Sequence, residues 1–133
     1  LKFDLSLLYN RYGFDEVIPH GDSMILEWLI NPSNRLGLDT LAQKYFDYEM
    51  KPFKDVVKKG DNFSSIDIEL ASFYASEDAF MSRLIYLKQI ERVEDTLLKE
   101  GYEIEYPFIN ILAKMEQIGI KIEQGRLIEL DDK

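Results

Sequence analysis

The longest stretch of the chain without glycine or proline lies between Gly60 and Gly101. Within it, residues 68–99 are predicted to form a long helix, or two helices joined by a kink, because apolar side chains recur near the helical period. Those side chains are Ile68, Ala71, Ala75, Ala79, Leu84, Leu87, Ile90 and Leu97. Ser64 and Ser65 are candidate N-caps, and Gly101 is expected to end the segment.

Shorter helices are predicted before and after this segment from cap residues and apolar spacing. Their expected spans are 1–13 (ending at Gly13), 22–31 (capped by Asp22 or Ser23), 38–49 (capped by Asp39 or Thr40), 52–60 and 107–119 (ending at Gly119), and a further helix begins near Gln124. Strands are scarce: residues 14–21 are predicted as a short strand or connector, and Ile120–Glu123 alternates like a short strand. Helices therefore dominate the predicted fold.

The composition is typical of one modest globular domain, with 133 residues of which 46% are hydrophobic. Because the chain contains no cysteine, disulfides, thiolate metal sites and catalysis by a thiol are excluded. Apolar runs such as Met24–Ile30 are interrupted by charge and are too short to span a bilayer, and the first residues lack the features of a signal peptide. We therefore expect a cytoplasmic protein.

The charge balance is acidic, with 25 acidic and 16 basic residues and a net charge of −9. This balance argues against a broad basic face for nucleic acid. It is compatible with an enzyme that holds divalent cations through carboxylates and meets DNA at one narrow site. The single histidine, His20, cannot form a histidine-rich metal site and is expected in a surface loop.

The segment FYASEDAF, Phe73 to Phe80, contains a candidate catalytic pair. Tyr74 and Asp78 are four residues apart, so on a helix they share one face about 6 Å apart along the axis. A carboxylate can ligate Mg²⁺ or Mn²⁺, and a neighbouring phenol can orient a metal-bound water for attack on a phosphodiester. The spacing alone favours the other interpretation, a partly buried tyrosine and a solvated aspartate. Glu77 is expected to be solvated or to support the pair without ligating metal.

Five segments in order resemble motifs of the bacterial family-A DNA polymerases. They are LKFDLSLL, which contains Asp4; GDSMILEWLINP; RLGLDTLAQKYF; YASEDA, which contains Tyr74 and Asp78; and EYPFINILAKMEQIGIKIE. The fourth matches the third motif of the family's 3′–5′ exonuclease domain, Tyr-x-x-x-Asp. The first resembles the second motif of that domain, whose aspartate would be Asp4. The last resembles the segment that opens the polymerase portion, and it is the most specific of the five.

The resemblance implies roles for five residues. Asp78 would ligate the metal ion that activates water, Tyr74 would position that water, and Asp4 would serve the second metal ion, Mg²⁺ or Mn²⁺. Arg35 and Phe53 resemble residues that contact the single-stranded 3′ end of DNA, where arginine could hold a phosphate and an aromatic ring could stack on a base. Without the resemblance, Arg35 is a solvated loop residue and Phe53 a core residue.

The resemblance also implies a fold and a division of the chain. The fold would be a truncated α/β ribonuclease-H-like exonuclease fold, of which these 133 residues form a predominantly helical part. Residues 1–100 would be a partial exonuclease domain without its first strands, and residues 101–133 the beginning of the polymerase domain. The family's Asp-x-Glu motif does not precede Asp4 in this sequence. We therefore expect these residues alone to be inactive, and the parent polymerase to proofread.

Two alternative functions remain open from the sequence. A ribonuclease-D-like 3′–5′ exonuclease shares the Tyr-x-x-x-Asp motif but is not expected to carry the segment from Pro107 to Ile122. A non-catalytic helical interaction domain would use the same carboxylates only as a solvated face.

A consequence of truncation would be self-association. Without the missing sheet, helix faces at Leu5, Leu8, Leu26, Trp28 and Leu29 are expected to lack a covering partner.

Overall fold

A computed structural model describes residues 1–13, 17, 19–57 and 60–131, and this part of the chain is helical without strands. The helices are α1 (Lys2–Tyr12), α2 (Ser23–Ile30), α3 (Leu38–Phe46), α4 (Phe53–Val56), α5 (Ile68–Ile90), α6 (Asp95–Glu100), α7 (Tyr106–Ile118) and α8 (Gln124–Asp131). A 3-10 turn covers Phe63–Ser65 and a π-helical turn covers Gly101–Glu105. The predominantly helical prediction is confirmed. The predicted strand at Ile120–Glu123 is wrong. Of the strand or connector predicted at 14–21, residues 14–16 and 18 lie outside the described residues, and residues 17 and 19–21 form a connection without strand.

Local signals placed most helix ends correctly. Gly13 ends α1 in the left-handed conformation (φ 67°), and the Asp22 carboxylate accepts hydrogen bonds from the first backbone N–H groups of α2. The cap of α5 was predicted wrongly, because Asp67 accepts the N–H groups of Glu69 and Leu70 at 2.9 and 3.2 Å. Gly37 precedes α3 with no side-chain cap, so the predicted caps there are also wrong.

Gly101 does not end the long segment as predicted. The chain leaves α5 in a turn at residues 91–94, forms α6, and then runs through the π-helical turn directly into α7. Gly101 is buried against the Tyr106 ring, where an added Cβ would lie 3.2 Å from Cζ of that ring. The glycine therefore permits a close approach between segments.

One hydrophobic core joins α1, α2, α5 and α7 through Leu5, Leu26, Tyr86, Tyr106 and Ile109. Leu5 and Leu26 were expected to be uncovered, and the structure corrects this because Tyr106 and Ile109 of α7 complete the core around them. Trp28 is 44% exposed, and Leu8 and Leu29 are half-buried. Self-association stays a prediction.

A second core lies between α3 and α5 and contains Leu41, Ala42, Met50, Met81 and Ile85. The buried face of α5 is therefore not the predicted apolar stripe. Ile68, a member of that stripe, is 77% exposed. The residues of α5 that are buried are Glu77, Met81, Ile85, Tyr86 and Gln89. Two of these five are polar, which a hydrophobic pattern assigns to solvent.

Glu27 is a fully buried carboxylate that connects four parts of the fold. It accepts hydrogen bonds from Asn34 at 2.7 Å, Tyr45 at 2.7 Å and Gln89 at 2.9 Å, and it pairs with the Lys44 ammonium. Burial raises the pKa of Glu27, but hydrogen bonds from Lys44, Tyr45, Gln89 and Asn34 outweigh burial, so the pKa lies below its ordinary value. The ionised carboxylate thus holds α2, α3, α5 and the loop after α2 together.

Gly21 lies against a buried ring, and we expect Gly21→Ala to destabilise the chain. An added Cβ would lie 2.4 Å from Cζ of Tyr86, whose hydroxyl contacts the Tyr102 hydroxyl at 2.8 Å. Forcing this ring to move should lower the free energy of unfolding by about 1–3 kcal/mol, measured by urea denaturation. Gly125→Ala is the matched control, because nothing lies within 4 Å of its added Cβ. Equal stability of the two variants would contradict the close packing.

The predicted domain boundary near residue 100 stays a prediction. Helix α7, which lies beyond this boundary, packs against α1 and shares its core. The Lys2 ammonium also pairs with the Glu116 carboxylate at 2.6 Å. In the described part of the chain, no helix is both long enough and apolar enough to cross a membrane.

Candidate functional site

Helix α5 carries the candidate pair, Tyr74 and Asp78. Asp67 caps its first turn, and the helix has 23 residues. Because Tyr74 and Asp78 are four residues apart within it, their side chains lie on the same face. Both are half-buried. The pair therefore lies on one face of a regular helix, partly accessible to solvent, and not on a loop.

The two side chains affect each other electrostatically. Burial is the largest cause of the raised pKa of Asp78; the Glu77 charge raises it further, and the hydrogen bond from Tyr74 lowers it. Burial and then the Asp78 charge raise the pKa of Tyr74 above its ordinary value. Tyr74 is therefore a neutral phenol at neutral pH, as a group that orients water without ionising must be.

Three aromatic rings, Phe53, Phe63 and Tyr74, form a cluster that we call the aromatic triad. The Phe53 and Phe63 rings are nearly parallel (10°) with centroids 6.3 Å apart. Each packs edge-on against Tyr74, at 5.9 Å for Phe53 and 6.1 Å for Phe63. Because Phe53 is 53% exposed and Phe63 40% exposed, the triad presents aromatic surface to solvent beside Asp78.

The aromatic triad joins two residues that the sequence linked only through resemblance. Phe53 belongs to α4, Tyr74 to α5, and the structure places their rings in contact. Phe63 was missed by sequence reasoning. It lies in the short turn just before the Asp67 cap, and an isolated aromatic residue among polar neighbours was the one available signal.

Asp4 belongs to a different helix from Tyr74 and Asp78. It occupies the first turn of α1, and its side chain is 69% exposed. Helix α1 makes its main contacts with α7. Within the described ranges, no three acidic or histidine side chains converge to form a cation site. The metal role of Asp4 stays a prediction.

Arg35 is exposed in the loop between α2 and α3. The preceding residue, Asn34, donates to the buried Glu27 carboxylate and a backbone hydrogen bond to Asn31 closes the turn. The loop is therefore anchored one residue before Arg35. The predicted contact of Arg35 with DNA stays a prediction.

Glu77 is not solvated, which corrects the first of the two roles expected for it; the supporting role stays a prediction. It is 8% exposed, and its carboxylate accepts hydrogen bonds from the Tyr48 hydroxyl at 2.7 Å and the backbone N–H of Lys51 at 3.0 Å. The hydrogen bond to this carboxylate raises the pKa of Tyr48. Glu77 and Asp78 are adjacent but point to different surroundings, because consecutive helix residues are about 100° apart.

Comparison with known families assigns the class of protein. Residues 1–93 match the 3′–5′ exonuclease family, and the chain belongs to it. The search of solved structures gave no match.

The similar relatives are DNA polymerases I. That of Borreliella burgdorferi is 39% identical over 127 residues, covering 95% of this chain and 14% of the relative. That of Treponema pallidum is 34% identical over 132 residues (97% of this chain, 13% of the relative), and that of Rhizobium leguminosarum is 33% identical over 135 residues (98% and 13%). The predicted resemblance to this polymerase family is confirmed, over about one seventh of the relatives' length.

Proposed function

We propose that residues 1–133 are part of a DNA polymerase I that removes mismatched nucleotides from the 3′ end of a growing strand. The observation that carries this proposal is the contact of Phe53 and Phe63 with Tyr74, beside the Asp78 carboxylate. Exposed aromatic rings and a phenol–carboxylate pair thus lie side by side on the surface. Editing requires both, because the terminal base must be held while its phosphodiester is hydrolysed.

In this proposal the aromatic triad and Arg35 bind the single-stranded 3′ end. Exposed rings stack on bases without sequence preference, which suits an editing site that must accept any mismatched base. The guanidinium of Arg35 would hold a backbone phosphate. The acidic chain would then bind DNA at this narrow site and not through a broad surface.

A divalent cation fits the residues present in part. Asp78 offers a half-buried carboxylate beside Tyr74, and hard cations such as Mg²⁺ or Mn²⁺ prefer such oxygen ligands. When bound, the metal would supply an activated water and stabilise the leaving oxygen. Tyr74 would orient that water, and Asp4 would serve the second metal ion. Within the described ranges, no three acidic side chains converge. We propose that carboxylates elsewhere in the parent polypeptide complete the site and that residues 1–133 alone are inactive.

The alternatives are separated by the comparisons and by experiment. The relatives match along 95–98% of the chain, including the segment from Pro107 to Ile122, which disfavours a ribonuclease-D-like enzyme. A non-catalytic helical domain would tolerate loss of the exposed ring at Phe53. The proposed division of the chain, with the polymerase portion beginning at residue 101, depends on the resemblance of this same segment to the start of that portion.

We expect Phe53→Ala in the complete polypeptide to raise the KM for a 3′-labelled single-stranded oligonucleotide about tenfold, with little change in kcat. One lost base–aromatic stack, about 1–3 kcal/mol, accounts for this effect. The control is Phe80→Ala, because Phe80 is a similarly exposed phenylalanine on another face of α5 (63% against 53% exposed). An unchanged KM for Phe53→Ala, or an equal rise for Phe80→Ala, would contradict a DNA-binding role for the aromatic triad.

A further inference from the structure

Glu77 links helix α5 to the segment that carries Phe53. One carboxylate oxygen accepts from the Tyr48 hydroxyl at 2.7 Å, and the other accepts from the backbone N–H of Lys51 at 3.0 Å. Both donors belong to residues 47–52, the connection between α3 and α4. The carboxylate therefore fixes this connection at two points, one of them on the main chain.

The second of these points lies two residues before Phe53. Phe53 begins α4, and its ring packs edge-on against Tyr74 at 5.9 Å. Tyr74 is three residues before Glu77 on α5, so the two residues are neighbours on the helix surface. The same rigid helix thus holds the connection through Glu77 and receives the Phe53 ring through Tyr74.

We propose that Glu77 is a positioning residue for the single-strand-binding surface, which places Phe53 against Tyr74. This role rests on the proposed editing function. It differs from the role of Asp78, although the two acids are adjacent. Both oxygens of Glu77 are occupied by protein donors and the residue is 8% exposed, whereas Asp78 lies beside Tyr74 in the candidate site.

A carboxylate is suited to this position because of what it must bind. Helix α4 has only four residues and cannot hold its own position by local hydrogen bonding. A leucine or alanine at position 77 would leave the Lys51 N–H and the Tyr48 hydroxyl without their shared acceptor. The connection would then move toward water, and Phe53 would leave Tyr74.

The test uses the complete polypeptide and a 3′-labelled single-stranded oligonucleotide. Glu77→Ala should raise KM about tenfold, as loss of the Phe53 stack does, while kcat stays near that of the parent. Glu77→Gln should keep KM close to the parental value. Its amide oxygen can accept a hydrogen bond from the Lys51 N–H, and its amide NH₂ can donate one to the Tyr48 oxygen. Tyr48→Phe removes one of the two hydrogen bonds and should raise KM about twofold to threefold, which keeps the test informative if Glu77→Ala fails to fold.

A spectroscopic measurement reports position without activity. Trp28 is the single tryptophan of residues 1–133. In the complete polypeptide, Phe53→Trp in a Trp28→Phe background is therefore a local probe once the emission of the Trp28→Phe polypeptide is subtracted. Adding Glu77→Ala should shift its emission to longer wavelength, and adding Glu77→Gln should not.

The outcomes separate the positioning role from the editing function. Full activity of Asp78→Ala would overturn the editing function itself. Loss of activity in Asp78→Ala together with a parental KM and emission in Glu77→Ala would overturn the positioning role alone. A fall in kcat without a change in KM for Glu77→Ala would also overturn it, since Glu77 would then act on the chemistry.

Discussion

Asp78→Ala in the complete polypeptide should lower kcat for 3′–5′ hydrolysis about a thousandfold or more. A metal ion at this carboxylate would supply several kcal/mol of charge stabilisation in the transition state, and each 1.36 kcal/mol corresponds to a factor of ten in rate. The measurement is release of the terminal nucleotide from a labelled single strand at saturating substrate. Tyr74→Phe should reduce kcat less, because it keeps the ring that packs on Phe53 and Phe63 and removes only the hydroxyl.

Two controls make this result specific. DNA synthesis by the same preparation should be unchanged, since the polymerase reaction would use other residues of the polypeptide. Glu69→Ala removes an exposed acid from the first turn of the same helix and should leave hydrolysis intact. If Asp78→Ala retained parental hydrolysis, the non-catalytic helical domain would be the better description of residues 1–133.

Glu27→Ala should lower the free energy of unfolding by about 3–5 kcal/mol, the usual cost of removing one partner from a buried ionic network. The change leaves the amide of fully buried Gln89 without its carboxylate partner and opens a cavity where α2, α3 and α5 meet. Typical domains have about 5–15 kcal/mol of stability in total, so the loss is large. Urea denaturation of the chain measures it.

The same network predicts how stability depends on pH. Because the pKa of Glu27 is lower in the folded chain than its ordinary value of 4.5, the ionised group contributes stability that is fully present above pH 4.5. That contribution is lost as the pH falls through the lowered pKa. The difference between the parent and Glu27→Gln should therefore be largest near pH 7 and shrink in acid. The exposed Lys88–Glu91 pair provides a control, Glu91→Ala, for which we expect no measurable change in stability.

Local patterns predicted the helices well and the core poorly. The N-cap at Asp22 and the C-cap at Gly13 depend on contacts within three or four residues, so adjacent sequence is sufficient to find them. Gly101 was predicted to end a helix, yet the helical backbone continues through it, and the Tyr106 ring packs closely where a Cβ would lie. The local pattern does not identify this ring as a packing partner of the glycine.

The candidate site shows the same division. Tyr74 and Asp78 were identified from a four-residue spacing and a motif, and Phe53 from its place in the family pattern. Phe63 received no role, and the partners of Glu77 were not identified because they are distant in sequence: Glu77 accepts hydrogen bonds from Tyr48 across 29 residues and from Lys51 across 26. A hydrophobic pattern places charged side chains in solvent. It cannot anticipate a buried carboxylate whose oxygens accept hydrogen bonds from donors on another segment.

By itself, therefore, the chain's sequence determined its helical class, its exonuclease family and the helix face shared by Tyr74 and Asp78, since each depends on residue types at short or ordered spacings. The tertiary structure alone decided that aromatic rings from three segments meet at Tyr74 and that Glu27 and Glu77 are interior groups. The physical reason is that a buried charge is stable only where several donors converge, and such convergence is a property of packed segments.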